Sequence, residues 1–190
     1  MIYYIFGKSA SGKDTIFKRL QSMHPEWKTV IPYTTRPIRE GEIEGVEYHF
    51  VDRACIDAYE KSGKIIEKRV YQTEYGPWIY ATVDDGQIVT SGNEADYLMI
   101  GVLSSYLSIR AYYGKDKVKP IYIEVPDEIR LERARQREAR ENNPRVDEMM
   151  RRFAADQKDF SEDKLAAAEI TKRYINIDLE ACIDEINKNT

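Results

Sequence analysis

Gly7-Lys8-Ser9-Ala10-Ser11-Gly12-Lys13-Asp14 stands between an apolar run, Ile2-Tyr3-Tyr4-Ile5-Phe6, and a stretch that puts Ile16, Phe17 and Leu20 on one helical face. The run reads as a short buried strand and the stretch as a helix, so the eight residues form a strand-to-helix turn. In this context the pattern G-x-x-x-x-G-K-[ST] cradles phosphate. Gly7 and Gly12 free the backbone to aim its N–H groups at one anion. The helix starting near Gly12 adds the positive end of its dipole. Lys13 would reach the outer phosphates as a mobile point charge. Only the last letter departs: Asp14, followed by Thr15, stands where a hydroxyl ordinarily ligates magnesium. The plainer alternative, a turn whose Asp14 is merely a first-turn acid or cap, does not account for the rest of the pattern.

A chain of 190 residues fits one domain with a real core. A net charge of -4 argues against a surface that coats nucleic acid. No apolar run approaches the roughly 20 residues of a membrane span, and the N-terminal run lacks a basic leader, so it reads as structure and not as a signal peptide. Cys55 and Cys182 are far apart and suggest neither a disulfide framework nor a metal site. A reducing cytoplasm is the expected setting.

Thr29-Val30-Ile31 reads as a second strand leading into Pro32-Tyr33-Thr34-Thr35-Arg36-Pro37-Ile38-Arg39, a loop because Pro37 excludes a helix interior. Arginines on a loop are available for bidentate anion contact, or simply for solvent. Gly45 to Val51 alternates as a strand would, and Asp52 is placed to cap a helix running to Gly63. Residues 64–82 read as two strands with a turn near Gln72 to Gly76. Glu67 falls among apolar residues there, either pointing outward or holding a polar ligand. Asp85-Gly86 and Ser91-Gly92 mark turns. Tyr97 to Val102 reads as a buried parallel strand, Leu103 to Tyr113 as a helix stopping at Gly114, and Pro120 to Pro126 as another strand. A helical stretch follows with Arg130, Arg133, Arg135, Arg137 and Arg140, interrupted at Asn142-Asn143-Pro144 before a helix with Arg151 and Arg152. Its interleaved Glu128, Glu132, Glu138 and Glu141 also fit a plain salt-bridged face. A strand at Tyr174 to Ile177 and a helix at Leu179 to Ile186 close the chain. Strands alternating with helices after such a loop imply an α/β fold with a parallel sheet, with ligands at the carboxyl ends of the strands.

From Tyr33 to Val51 the chain resembles the guanylate kinases almost position by position. The order of the remaining segments agrees over nearly the whole length: Ile65-Ile66-Glu67, Tyr75-Gly76, the arginine helix and Asn176. The resemblance implies a P-loop NTPase-type parallel sheet flanked by helices (core 1–32, 83–126 and 153–190). It also implies a small mixed β lobe for the nucleoside monophosphate (33–82) and a helical lid (127–152). It implies transfer of the ATP γ-phosphate to GMP with magnesium. Gly7, Ser9, Ala10, Ser11, Gly12, Lys13, Asp14, Thr15 and Asn176 would bind ATP. Arg36, Arg39, Tyr48, Glu67 and Tyr75 would bind GMP, Glu67 reading the guanine edge. Lys13, Arg133, Arg137 and Arg152 would serve the transfer itself, which is mainly positioning and charge neutralisation.

Three departures stand out. Pro32 replaces a serine that helps read the base, and it has no donor. Met99-Ile100-Gly101-Val102 lacks the acids of the family strand Leu-Asp-Ile-Asp. Asp14 replaces the P-loop hydroxyl, and the expectation is that it returns a carboxylate to magnesium. A kinase with another acceptor and an inactive binding module are the alternatives. The intact Gly7, Gly12, Lys13, Arg133 and Arg137 favour activity. Nucleic-acid binding through the arginine helix is weak, because acids dilute it and no aromatic platform lies beside it. Oligomeric state stays open.

Overall fold

β1 (Ile2–Gly7) is buried at every position, and its alternating side chains feed two separate cores. The computed structural model describes residues 1–73, 75–89, 92, 95–140 and 144–190. In chain order there follow α1 (Lys13–Met23), β2 (Lys28–Thr29), β3 (Tyr33–Thr34), β4 (His49–Phe50), α2 (Arg53–Lys61), β5 (Ile65–Thr73) and β6 (Gly76–Val83). The second half comprises β7 (Tyr97–Gly101), α3 (Leu103–Tyr113), β8 (Val118–Glu124), α4 (Asp127–Glu138), α5 (Val146–Asp159), α6 (Glu162–Ala167), β9 (Tyr174–Ile175) and α7 (Leu179–Asn187).

The main sheet runs β2-β7-β1-β8-β9 with every pairing parallel. Ile2, Tyr4 and Phe6 pack with Tyr106, Ile109, Tyr122 and Phe160 on one face. Tyr3 and Ile5 pack with Ile16, Leu20, Ile183 and Ile186 on the other. Each such side chain contributes about 1.5–3 kcal/mol on burial, so truncating Ile5 would cost about 2–5 kcal/mol. The mixed sheet β4-β3-β6-β5 packs Tyr33, Ile79, Ala81 and Val83 on Ile56 of α2. A register shift between Ile65 and Glu67 interrupts the β5–β6 ladder, so Ile65 stands opposite Val83 and Glu67 opposite Thr82, while Ile66 packs against the main core. Among the described residues no helix is long and apolar enough to cross a membrane.

Most expected elements stand where their patterns put them, and Asp52 caps α2 by accepting from Cys55 N at 2.8 Å. The alternating stretch at 45–51 is a correction, since only His49 and Phe50 are strand. Glu44 accepts from Phe50 N and pairs with the His49 ring, and Glu47 accepts from Ile43 N, so local side-chain bonds replace a ladder. The second strand ends at Thr29, because Ile31 N donates to Gln87. Arg140 lies beyond the end of α4, and α6 is an unexpected helix. Readings that fall on Glu74, Ser91, Glu94, Glu141, Asn142 and Asn143 lie outside the described residues.

Candidate active site

The loop after β1 is shaped by backbone constraints and then clamped from outside. A Cβ at Gly7 would collide with Ile123 O, and one at Gly12 with Asn176 Nδ2. Gly12 has φ +83° and Ala10, without glycine's freedom, has φ +60°; such left-handed conformations cluster at functional turns. Asn176 Nδ2 donates to Ser11 O at 2.8 Å, tying the loop to the segment after β9. Ser11 Oγ and Asn176 Oδ1 are buried there without a protein partner, as at a site built for another polar group.

Ser9 is held at both ends of its peptide. Its N–H donates to Asp156 Oδ2 and its carbonyl accepts from Arg130, each at 2.8 Å. Arg130 is only 1% exposed, pairs with Asp127 at 2.7 Å and Asp156 at 3.3 Å, and lies on the Phe153 ring. Lys8 and Gln157 extend the network to Asp127. Burial pushes the Asp127 carboxyl up, but bonds from Arg130 and Gln157 and the charges of Arg130 and Lys8 outweigh it and hold it below the usual range. At the mouth of the loop Lys13 Nζ lies 3.5 Å from Asp14, whose side chain is 76% exposed. Thr15 beside it is also exposed. Among the described residues no three His, Cys, Asp or Glu side chains converge as a metal site.

The mixed sheet presents a second polar face. Arg36 is buried and forks onto Glu42 at 2.8 and 3.0 Å, donates to the Tyr80 hydroxyl at 3.1 Å, and lies 5.6 Å from the Tyr48 and Phe50 rings. Burial raises the Tyr48 hydroxyl pKa, Tyr80 adds to that, and Arg69 and Arg36 oppose it; Tyr80 packs edge-on against the Tyr48 ring at 5.6 Å. Glu67, its side chain 3% exposed, accepts from Arg69 Nε at 3.0 Å, Arg69 Nη2 at 3.3 Å and Thr82 Oγ1 at 3.2 Å.

A guanylate kinase family model matches residues 2–168. The chain belongs to the guanylate kinase family. It is 36% identical over 90 residues to a guanylate kinase of Chromobacterium violaceum, covering 45% of this chain and 43% of that one. It is 29% identical over 188 residues to guanylate kinase 1 of Oryza sativa subsp. japonica, covering 97% and 46%. The chain thus spans less than half the length of these curated relatives. The crystal structure of guanylate kinase from Anaplasma phagocytophilum superposes with a TM-score of 0.65 at 20% identity, covering 100% of this chain and 83% of that one, and supports the fold.

Against the guanylate kinase pattern, the structure brings Gly7 to Thr15 together with Asn176, and Arg36, Tyr48 and Glu67 together on the mixed sheet. Five expected residues stay apart from these groups. Arg39 is exposed, with its N–H on Glu42. Tyr75 is 76% exposed at the hairpin tip. Arg133 donates to Ile177 O at 3.3 Å, Arg137 is exposed, and Arg152 lies 3.9 Å from Glu148. Where the family strand carries acids, Tyr4 donates to Ser105 Oγ at 2.7 Å, and these two fill the space a Gly101 side chain would need. Arg69, Tyr80 and Asp156 escaped the sequence reading, and Arg130 entered it only as one arginine of the helix. Arg69 and Tyr80 carried a faint signal, since two-residue alternation puts Arg69 on the face of Glu67; nothing in the sequence marks Asp156.

Proposed function

We propose that the chain transfers the γ-phosphate of ATP to a nucleoside monophosphate, with GMP the expected acceptor. The observation that carries this reading is the loop after β1, where Gly7 and Gly12 leave no room for a side chain, Gly12 takes a left-handed φ, and Asn176 holds the Ser11 carbonyl beside Lys13. Gly7 to Thr15 would hold the ATP phosphates and Asn176 would stand by the adenine. Arg36, Arg39, Tyr48 and Tyr75 would hold the acceptor phosphate and Glu67 its base. Lys13, Arg133, Arg137 and Arg152 would neutralise the transferring group. Arg39, Tyr75 and the lid arginines reach it by closure, which also excludes water.

Asp14 and Thr15 fit a magnesium ion that keeps phosphate and water among its ligands, since an open carboxylate beside a hydroxyl needs no protein cage. Bound there, the ion would neutralise β- and γ-phosphate oxygens. The cysteines are free, in keeping with a reducing cytoplasm. A module that only held a partner on the mixed sheet would have no use for Lys13 or the clamped loop. ADP release measured with GMP, dGMP, AMP, UMP and CMP tests the proposal. Turnover with a purine monophosphate is expected, and Glu67→Ala should raise the acceptor KM far more than the ATP KM. No turnover with any of the five would overturn it.

A further inference from the structure

The polar face of β5 and β6 sets Glu67 against Thr82 and Arg69 against Tyr80 in the strand register. Lone pairs on Glu67 can be counted. A carboxylate offers about four acceptor sites. Three are occupied: Oε2 takes Arg69 Nε, and Oε1 takes both Arg69 Nη2 and Thr82 Oγ1. One site on Oε2 remains. Arg69 has five N–H donors, of which two lie on Glu67. Its side chain is 23% exposed and lies 5.9 Å from the Tyr80 ring, so the guanidinium is not sealed from solvent.

We infer that Arg69 is a specificity-determining residue: with Glu67 it reads a base edge that places a carbonyl oxygen beside a ring N–H, so that any 6-oxopurine monophosphate is taken, with or without a 2-amino group. This rests on the kinase reading above and deepens it. Guanine addresses a bare carboxylate through two adjacent donors, the ring N1–H and the 2-amino group. Here only one acceptor is left for the pair. The ring N1–H takes it, the 6-oxo group accepts from Arg69, and the 2-amino group finds no dedicated partner. Hypoxanthine presents the same two matched groups. Adenine reverses both, setting an amino donor against the guanidinium and a ring acceptor against the carboxylate. Such a mismatch leaves both protein groups unpaired and is strongly rejected. Pro32, which has no N–H or hydroxyl donor to offer, supplies no compensating contact.

The test is calorimetric binding of GMP, IMP and AMP to the whole chain, with ADP release followed in parallel. Expected Kd values for GMP and IMP lie within about tenfold of each other, with AMP at least about a hundredfold weaker. Arg69→Leu frees two lone pairs on Glu67 and should widen the GMP preference over IMP to more than about tenfold. Because Arg69→Leu also leaves a buried carboxylate without its cation, Thr82→Val serves as the second variant. It frees one lone pair without changing charge and should move the same ratio in the same direction, about two- to fivefold. A wild-type preference for GMP over IMP above a hundredfold, no binding of any of the three, or a ratio unmoved in both variants would overturn the inference. The expected binding pattern without ADP release would overturn the kinase reading alone.

Discussion

Arg130 and Arg137 lie on one stripe of one helix, seven residues apart, and meet opposite environments. Arg130 is sealed against the phosphate loop, with Asp127, Asp156, the Ser9 carbonyl and the Phe153 ring around it. Arg137 stands in solvent, and Arg133, between them, donates to the Ile177 carbonyl. Identical side chains at helical spacing thus divide into one that is buried against the loop and others left at the surface. A buried guanidinium holding four partners is committed, because releasing it would strand a charge in a dry interior. An exposed one is available for charge that appears only in the proposed transfer.

This contrast is broken most severely if the exposed arginines prove inert. Arg137→Ala should lower kcat by about a thousandfold, the lower range for a transition-state arginine, with an unchanged melting temperature. Steady-state ADP release and a thermal melt check both halves, and a loss under tenfold would place the transfer charge elsewhere. The sealed side should answer in the opposite way. Asp156→Ala strips Arg130 of one carboxylate and leaves the Ser9 N–H unpaired, which should cost about 2–5 kcal/mol. That is a fall of roughly 5–20 °C in Tm for a chain of this size, with kcat within about tenfold of the parent.

Acidification probes another sealed pair, Arg36 and Glu42 on the mixed sheet. Burial pushes the Glu42 carboxyl up, but the bonds from Arg36 and the Arg39 N–H and the nearby charges outweigh it and hold its folded pKa below the ordinary glutamate value. The stabilisation is therefore fully present above the unfolded pKa, about 4.3, and is lost as pH falls through the lower folded value. Urea midpoints measured across pH 2–6 should drop below about pH 4, and Glu42→Gln should flatten that drop. The smallest effect belongs to Arg151, whose pair with Glu148 is exposed. Arg151→Ala should shift stability by less than about 0.5 kcal/mol and leave turnover within about twofold.

The phosphate loop was legible because its chemistry is contiguous: Gly7, Gly12 and Lys13 act through backbone angles and one local helix end. In the parallel sheet β1 and β7 were legible from unbroken apolar runs, which suit strands covered on both faces. Residues 45–51 misled because their alternation belongs to turns pinned by Glu44 and Glu47, with Ile43 and Val46 left in solvent. Arg130 and Asp156 could not be separated from the salt-bridged surface of their helices, since their partner is a peptide group more than a hundred residues earlier. Glu67 was visible as an oddity among apolar neighbours. Alternation along β5 puts Arg69 on the same face, but that its guanidinium folds back onto Glu67 is set by side-chain packing that the sequence does not show.

The bond from Asn176 to the Ser11 carbonyl spans 165 residues. On a ribosome adding about 5–20 residues per second, the loop therefore waits roughly ten to thirty seconds for the side chain that fixes it. β1 must likewise wait for both of its neighbours, β7 and β8, before it is paired. β1 is thus an unpaired, strongly apolar strand until β7 and β8 have been made, and the loop that follows it is completed only once Asn176 has been added.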